Sequence, residues 1–444
     1  MITARPLGSR QAVAASTSFL KRSPPVNARP TIQCAATTAR VTPPLTSVRC
    51  KSGPYGYTQA KSLVFSKFGE PSDVLKIHTH SISPTLPADS VLLRTLAAPI
   101  NPADVNTIQG TYGVKPQFSP LIGTAEPSVI PGNEGVFEVQ ATTSKSLSRG
   151  DWVIPAKTGF GTWRTHAVAA ADAVLKINKA GLTPLQAATV AVNPCSAYRM
   201  LRDFVGTDSG PSDADAATRQ KWLEGAGRPM REGDWFLQNG ANSGVGRAAI
   251  QIGRLWGLRS INVVRARPTE AETAALKAEL KEIGATHVVT EEEFLSSREF
   301  GARVQEWTKG SSQHGGGGVR LGLNCVGGKS AQTVARNLAD GATMVTYGGM
   351  ARQPVALPTG LLIFKDLRFR GFWLSRWADS DRAQKKRTVD EILDFCRAGE
   401  FRDVPVQQVG WGWETEEGVL RGAVQGTLEG FRGGKGVFVF EDES

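Results

Sequence analysis

A glycine-rich turn between two apolar runs carries the clearest chemical signal in the sequence. Gly240, Gly244 and Gly246 lie in the stretch DWFLQNGANSGVGRAAIQIG, residues 234–253. Glycine lets a chain turn tightly, brings its backbone against a pyrophosphate and seats the following helix close to a sheet. A phosphate would then lie at the helix N-terminus, where free N–H groups and the helix dipole favour negative charge. The spacing is G-x-x-x-G-x-G and not the usual G-x-G-x-x-G, so the pattern alone also fits a purely structural turn.

Two arginines after the next apolar run indicate which dinucleotide would bind. The run at 261–264 is followed by Arg265, Ala266 and Arg267, with no carboxylate until Glu270. An NAD site places Asp or Glu on the ribose hydroxyls about 20 residues beyond the glycines, whereas an NADP site places Arg near the extra phosphate. A guanidinium holds a phosphate with two parallel charge-assisted hydrogen bonds. The sequence therefore predicts NADPH, the alternative being two solvated arginines at a strand end.

The segments around these residues alternate between strands and helices. The turn joins a strand at 235–237 to a helix with buried apolar residues, and the run at 261–264 is the next strand. Further helices are predicted at 271–283, 293–307, 330–338 and 390–398, and further strands at 287–289, 319–325, 343–347 and 364–374. This alternation predicts an α/β architecture with a doubly wound parallel sheet.

The part of the chain before the glycines has a different pattern. Short runs predict strands at 61–65, 73–80 and 90–97, a turn at Asn101-Pro102, a buried turn entering a strand at 129–139, and a strand, loop and strand at 150–168. Frequent glycines and few helices predict a compact β-rich domain through about residue 179. A helical pattern at 183–204, interrupted at Asn193-Pro194, would link the two domains. Residues 206–233 are predicted to be an inserted surface loop, and a last β run at 436–440 is predicted to rejoin the first domain.

Length and composition exclude several classes of protein. A chain of 444 residues with 40% hydrophobic and 21% charged residues is typical of a soluble protein with two domains. No apolar stretch is long enough to span a bilayer, so no integral membrane segment is expected. Five scattered cysteines without a C-x-x-C pair indicate a reducing compartment and no disulfide framework.

The positive charge is concentrated at the start of the chain. Residues 1–69 contain no Asp or Glu, and eight basic residues precede Ser52, which leaves a formal net charge of +3 out of +11 for the rest. Arginine-bearing, rich in Ser, Thr and Ala and free of acids, residues 1–51 are predicted to be a mitochondrial presequence, cleaved between about Arg40 and Tyr57. A generic basic tail is the alternative. The small remaining charge argues against nucleic-acid binding.

Seven ordered blocks resemble one enzyme family. They are INPADVNTIQGTYG, PGNEGVFEV, NPCSAYRML, QNGANSGVG, INVVRARP, YGGM and RGFWLS. Together they resemble the mitochondrial trans-2-enoyl-thioester reductases of the medium-chain dehydrogenase/reductase superfamily, over nearly all of the chain after Tyr57. The insertion at 206–233 and Ala266, where the family is expected to have Asp, depart from the pattern.

The resemblance implies a fold and an activity. The fold would be a β-rich GroES-like catalytic domain, residues 57–192 and 370–444, with an inserted Rossmann domain, residues 193–369, for NADPH. The activity would be NADPH-dependent reduction of trans-2-enoyl thioesters, carried on acyl carrier protein or CoA, to saturated acyl thioesters. This is the last reductive step of mitochondrial fatty acid synthesis, and a homodimer in the matrix is expected.

The resemblance also assigns site residues. Tyr112 would donate the proton to the α carbon, although on sequence alone an aromatic packed in a loop is the better explanation. The residues that would bind the cofactor are Asn193, Gly240, Asn242, Ser243, Gly244, Val245, Gly246, Arg265, Ala266, Arg267, Tyr347, Gly348, Gly349, Met350, Phe372, Trp373, Leu374, Ser375 and Lys435. For Asn193 and Lys435, a helix-end turn and a surface lysine are equally good explanations.

No metal is expected, and two other functions stay open. Zinc enzymes of the superfamily need Cys and His ligands, whereas this chain has Gly132-Asn133-Glu134 and no cysteine between Lys51 and Pro194, and His166 is expected to be structural. A zinc-free quinone reductase would use the same NADPH site without a proton-donating tyrosine. A catalytically silent NADPH-binding protein is the other alternative. Five basic residues would meet an acidic carrier or CoA phosphates, or form only a charged surface: Arg352, Arg368, Arg370, Lys385 and Lys386.

Overall fold

The first part of the chain contributes strands to two sheets. The computed structural model describes residues 56–120, 123–204, 230–296, 298–310, 317–428 and 433–441, so the predicted presequence and most of the predicted insertion lie outside the described residues. The first strands are β1 (Thr58–Val64), β2 (Lys76–Ile82), β3 (Ser90–Pro99), β4 (Val136–Thr142), β5 (Trp152–Pro155), β6 (His166–Ala170) and β7 (Val174–Ile177). β1 and β2 form an antiparallel pair, and β3 pairs antiparallel with both β4 and β6 in a larger sheet.

Four helices accompany these strands. They are α1 (Pro71–Val74), α2 (Pro102–Ile108), α3 (Pro184–Thr189) and α4 (Asn193–Asp203). Each has a proline in its first two positions, where the missing N–H and the fixed φ angle suit a helix start. Pro194 therefore explains why the predicted helical segment at 183–204 is two helices, since α4 begins anew at Asn193.

The second part of the chain forms a six-stranded parallel sheet. Its elements are β8 (Trp235–Gln238), α5 (Gly244–Leu255), β9 (Arg259–Val264), α6 (Glu270–Glu282), β10 (His287–Thr290), α7 (Glu291–Leu295), α8 (Arg298–Thr308), β11 (Val319–Asn324), α9 (Gly328–Arg336), β12 (Leu338–Thr346), α10 (Thr359–Ile363) and β13 (Arg368–Gly371). The strand order β10-β9-β8-β11-β12-β13 is that of the Rossmann fold, which confirms the predicted doubly wound sheet.

The end of the chain returns to the first sheet. After α11 (Leu374–Ser380) and α12 (Arg382–Arg397) come β14 (Val406–Trp411), α13 (Glu417–Gln425) and β15 (Lys435–Phe440). β15 lies between β14 and β3, parallel to the former and antiparallel to the latter. The β run predicted at 436–440 therefore completes a seven-stranded sheet with the first part of the chain.

One hydrophobic core joins the two sheets. It contains Ala97 and Val136 from the first sheet, Met200 from α4, and Phe236 and Leu321 from the parallel sheet, all fully buried. Because residues of both sheets share this core, and α4 packs on α5 within it, the parts of the chain before and after residue 193 are held in contact. None of the described helices is long and apolar enough to cross a bilayer.

Several predicted elements differ from the structure, among them the helix predicted at 390–398, which begins at Arg382. The strand predicted at 73–80 begins only at Lys76, because Pro71 starts the short helix α1. The helix predicted at 293–307 is two helices, and Thr290 and Glu293 form a capping box that starts the first of them. The long strand predicted at 364–374 is only β13, flanked by α10 and α11. Helix α2, strand β14 and helix α13 were not predicted.

His166 is buried in the structure, as expected for a structural histidine, and its burial makes the stability of the fold depend on pH. His166 lies on β6 opposite Arg94, and burial above all lowers its pKa to about 4, with Arg94 and His80 adding to the effect. In the unfolded chain the pKa is about 6.5, so the folded state binds fewer protons between these values. The contribution of His166 to the unfolding free energy is therefore fully present above pH 6.5 and is lost as the pH falls toward 4.

We expect His166→Gln to remove this part of the pH dependence. Between pH 6.5 and 4 the native sequence should lose up to about 3 kcal/mol more unfolding free energy than the variant. Urea unfolding at a series of pH values measures the difference. Parallel losses in the two proteins would contradict the prediction.

Candidate active site

The glycine-rich turn after β8 lies at the carboxyl edge of the parallel sheet, and two of its glycines have steric reasons to be there. Gly240 has a φ of +63°, and a Cβ atom there would lie 2.4 Å from the Cys325 sulfur. A Cβ atom on Gly246 would lie 2.5 Å from the carbonyl oxygen of Ala241. Because glycine has no Cβ atom, it avoids these clashes, and α5 can begin directly against the strand ends. A nucleotide binds at this place in the fold.

The third glycine brings Asn193 into the site. A Cβ atom on Gly244 would lie 2.4 Å from the Asn193 side-chain nitrogen, so the carboxamide rests directly on the turn. Asn193 is the first residue of α4, and α4 packs along α5. The structure therefore places Asn193 beside Ser243 to Gly246, as the resemblance implies, although the two segments are about 50 positions apart in the chain.

The N-terminus of α5 is suited to an anion. The Ser243 hydroxyl oxygen accepts a hydrogen bond from the Gly246 N–H at 3.1 Å, and the first turn contains no acidic residue. Asn242 accepts a hydrogen bond from Arg247 Nε at 2.9 Å. Val245 is buried beneath this turn. The remaining backbone N–H groups and the helix dipole favour a phosphate here, so these residues fit a dinucleotide.

Three guanidinium groups lie near each other beside this turn. Arg265 and Arg267 follow β9 directly, with the exposed Ala266 between them. Partial burial lowers the pKa of Arg267, and the positive charges of Arg265 and Arg247 lower it further. Arg247 also pairs with Glu279 at 2.7 Å. A phosphate monoester would offset the repulsion among these charges, so this set fits a phosphorylated ribose.

The loop after β12 lies against Cys325. The Tyr347 N–H donates to the Asn324 carbonyl at 3.0 Å, and the Met350 N–H donates to the Cys325 carbonyl at 2.9 Å. A Cβ atom on Gly348 would lie 3.2 Å from Cys325, whereas Gly349 and Met350 are exposed. Burial raises the pKa of the Tyr347 phenol well above its usual range, so Tyr347 stays protonated.

Tyr112 reaches this edge from the loop after α2. Its hydroxyl accepts a hydrogen bond from Trp373 Nε1 at 2.9 Å and lies 3.5 Å from the Ser375 hydroxyl. Phe372 precedes this pair and Leu374 begins α11, both half-buried. The structure thus brings Tyr112 to the segment 372–375 that the resemblance assigns to the nicotinamide side. Trp373 also lines a cleft of about 480 Å³ together with Phe204, Phe372 and Trp377.

Lys435 belongs to a buried network of charges. Its ammonium group donates to Asn101 at 2.7 Å and lies 3.3 Å from Glu134, which is fully buried. The other carboxylate oxygen of Glu134 accepts the Val192 N–H at 2.8 Å, one residue before Asn193. Lys435 is therefore not a surface lysine. Through Glu134, its hydrogen-bonded network includes the residue just before α4.

A second buried carboxylate anchors the helix that leads to Tyr112. Asp104 accepts hydrogen bonds from the Asn101 N–H at 2.9 Å and from the Asn133 side chain at 2.7 Å. Burial raises its pKa to about 6 in spite of these bonds. Asp104 thereby caps α2, after which the chain turns back to Tyr112.

Sequence reasoning missed Glu134, Asn101, Asp104 and Arg247. Glu134 is a carboxylate inside an apolar run predicted to be a buried turn, which is the available signal for a buried ion pair. Arg247 follows Gly246 directly, and a basic residue next to a predicted phosphate-binding turn is the available signal for it. For Asn101 the capping position before Pro102 was the available signal.

Within the described ranges, no group of three or more His, Cys, Asp or Glu side chains is arranged to hold a metal ion. The expected basic surface also needs a correction. Lys385 is buried and donates to the carbonyls of Pro155 and Ala156 at 3.0 Å, so it cannot contact an acidic carrier. Lys386 pairs with Asp390 on the next turn of α12.

Comparison with known proteins matches both parts of the chain. Residues 87–179 match the alcohol dehydrogenase GroES-like domain, and residues 244–392 match the zinc-binding dehydrogenase family. The mitochondrial enoyl-[acyl-carrier-protein] reductase of Yarrowia lipolytica is 46% identical over 347 residues, which cover 78% of this chain and 82% of the relative.

Solved structures give the same picture. The complex of Etr1p with NADP and crotonyl-CoA has a TM-score of 0.75 and 37% identity, covering 86% of this chain and 99% of that one. The Etr1p/Etr2p heterodimer, a mitochondrial 2-enoyl thioester reductase from Candida tropicalis, has a TM-score of 0.74 and 38% identity, covering 86% and 99%.

We expect Gly246→Ala to destabilise the protein. The added methyl group would overlap the Ala241 backbone, which cannot rotate away as a side chain could, so the cost should be about 1–3 kcal/mol. Gly349→Ala is the matched control, because nothing lies within 4 Å of its added Cβ atom. Urea or thermal unfolding compares the variants, and equal stability of the two would contradict the steric argument.

Proposed function

This chain belongs to the mitochondrial enoyl-[acyl-carrier-protein] reductases of the medium-chain dehydrogenase/reductase superfamily, and we propose that Tyr112 is its proton donor. It is an NADPH-dependent oxidoreductase that reduces trans-2-enoyl thioesters to saturated acyl thioesters. Bound NADPH supplies a hydride for the β carbon. The protein must then hold the thioester oxygen, which gains negative charge, and deliver a proton to the α carbon.

The position of the Tyr112 phenol carries this proposal. Its hydroxyl lies beside Trp373 and Ser375, at the carboxyl edge of the parallel sheet where the nicotinamide half of a dinucleotide would lie. Its backbone lies in the loop after α2, and its hydroxyl meets the segment after β13, so a substrate bound at this contact would meet the phenol. A zinc-free quinone reductase needs no such donor, and the sequence relatives are enoyl reductases.

The contacts support a different role for each group of cofactor-binding residues. Ser243 to Gly246 would hold the pyrophosphate at the start of α5, and Arg265 and Arg267 would hold the ribose phosphate. Asn193, resting on Gly244, would contact the cofactor beside the turn. Two of the three ammonium hydrogens of Lys435 face Asn101 and Glu134, which leaves one for the cofactor.

The remaining assignments follow from family membership. Acyl carrier protein or CoA would carry the enoyl group, since Etr1p was solved with crotonyl-CoA and the relatives are named for the carrier protein. A homodimer is expected, as Etr1p assembles with Etr2p. The enzyme works in mitochondria, and residues 1–51 would be its presequence.

We expect Tyr112→Phe to lower turnover of a medium-chain trans-2-enoyl-CoA by roughly 10²–10⁴-fold while leaving the NADPH dissociation constant unchanged. NADPH oxidation and equilibrium titration measure the two quantities, with a quinone as the comparison substrate. Tyr198→Phe is the control, because that phenol donates to Glu391 outside the cleft. Full activity of Tyr112→Phe, or turnover of the quinone alone by the native enzyme, would refute the proposal.

We expect the double substitution Arg265→Ala, Arg267→Ala to abolish the preference for NADPH over NADH. Each lost charge-assisted contact should weaken NADPH binding about tenfold or more, whereas NADH, which has no phosphate there, should bind as before. Arg298→Ala removes an exposed arginine elsewhere and serves as the control. An unchanged NADPH to NADH ratio would remove these arginines from the phosphate site.

A further inference from the structure

Three buried polar atoms on neighbouring strands of the first part of the chain have no hydrogen-bond partner within the described ranges. They are the hydroxyl oxygen of Ser62, Nδ1 of His80 and Nε of Arg164. The Ser62 side chain is fully buried, whereas those of His80 and Arg164 are buried only in part. Buried polar atoms in proteins are nearly always hydrogen-bonded, so three exceptions on adjoining strands require an explanation.

The pairing of the strands brings these three side chains to one face. Ser62 on β1 lies opposite Arg164 in an antiparallel bridge, and the residue pairs on either side of it make the backbone hydrogen bonds. In such a pair the two side chains share a face and lie close together. On the other side of β1, Ser62 lies opposite His78, and His80 follows two residues later on the same face. The residue opposite His80 is Ala60, so no large side chain of β1 separates His80 from Ser62.

The Arg164 guanidinium brings a positive charge into this cluster. Its Nη2 donates to the Phe160 carbonyl at 2.9 Å, and its carbon lies 5.1 Å from the centre of the Phe160 ring. Among the described residues Arg164 forms no ion pair, and burial alone lowers its pKa to about 10. Burial also lowers the pKa of His80, and the positive charges of His78 and Arg164 lower it further. No carboxylate acts on either group to oppose these shifts.

The other charged side chains around the cluster do not balance Arg164. His166 lies on β6 opposite Arg94, and Arg94 pairs with Glu138 at 3.0 Å, so this carboxylate is already neutralised. The rings of His78 and His80 are stacked with their centroids 5.5 Å apart, and an imidazole is either neutral or positive. The cluster therefore has a net positive charge in a largely buried place, where a charge without a partner is costly.

We propose that Arg164 Nε, the Ser62 hydroxyl and His80 Nδ1 form a binding site for a small monovalent anion such as chloride. Each group can donate one hydrogen bond, His80 in the ring form that carries its hydrogen on Nδ1. An anion accepts all three and offsets the guanidinium charge, whereas a buried water molecule satisfies the hydrogen bonds but leaves the charge.

The bound anion joins β1, β2 and the segment that contains Arg164, so it stabilises the first part of the chain. The site needs neither NADPH nor a thioester. Its test is therefore independent of the proposed function.

The test is thermal unfolding of the full chain at constant pH and ionic strength, with chloride replacing gluconate. A ligand that binds only the folded state stabilises it according to its concentration. The Tm of the native sequence should therefore rise by roughly 1–2 °C for each tenfold increase in chloride above the dissociation constant. Arg164→Met removes the charge and one donor and should show no rise. Ser62→Ala removes one donor and should need about tenfold more chloride for the same rise.

Arg298→Met is the matched control. It removes the same charge from an exposed position at the start of α8, so its response to chloride should equal that of the native sequence. A crystal soaked in bromide locates the anion, because bromide scatters X-rays anomalously. The anomalous peak is expected in contact with Arg164 Nε and the Ser62 hydroxyl.

Several results would overturn the proposal. An equal rise in Tm for the native sequence and Arg164→Met would mean a general effect of salt. A water molecule in place of bromide among the three donors would mean that the site binds no anion. A response to sulfate but not to chloride would contradict the assignment of a small monovalent anion. If Arg164→Met does not fold, Ser62→Ala decides, since an unchanged chloride dependence in that variant would also overturn the site.

Discussion

The arrangement of the molecule depends on the buried carboxylate of Glu134. One oxygen accepts the Val192 N–H at 2.8 Å, and the other receives Asn101 at 3.0 Å and Lys435 at 3.3 Å. An unpaired charge at a fully buried position would cost several kcal/mol, so the partners must stay in place. Because they come from the start of α4, the end of β3 and the start of β15, one side chain fixes three distant segments. Asn193 is carried against the glycine turn as a result.

The site is divided between the two parts of the chain in a way that matches the chemistry. The parallel sheet offers backbone N–H groups, glycines and guanidinium groups, which suit a rigid phosphorylated cofactor. The part of the chain that forms the other sheet offers Tyr112, in the loop after α2, and the buried Asp104 anchors that helix. The common hydrophobic core, which includes residues of α4 and α5, fixes the two parts of the site relative to each other. Neither part alone contains both a place for the cofactor and the proposed acid.

Local sequence patterns predicted the fold and the cofactor edge, because both are encoded within short segments. The glycines at 240, 244 and 246 and the arginines at 265 and 267 follow strands, and the carboxyl ends of parallel strands meet at one edge. Contacts between distant segments could not be predicted in this way. Tyr112 and Trp373 are 261 positions apart, and Lys435 and Glu134 are 301 apart, so no periodicity links them. Lys385 was predicted to lie on a basic surface but is buried. A lysine within a run of basic residues carries no local signal of burial.

The last strand has a consequence for how the protein is made. β15 lies inside the first sheet, between β14 and β3, with Val437 and Phe438 fully buried. β15 comes long after β3 in the chain, so a ribosome makes its residues well after those of β3. Until then β3 has an open edge with unpaired backbone groups, the kind of surface on which strands from other molecules add. The first sheet can therefore be completed only after the strands of the parallel sheet have been synthesised.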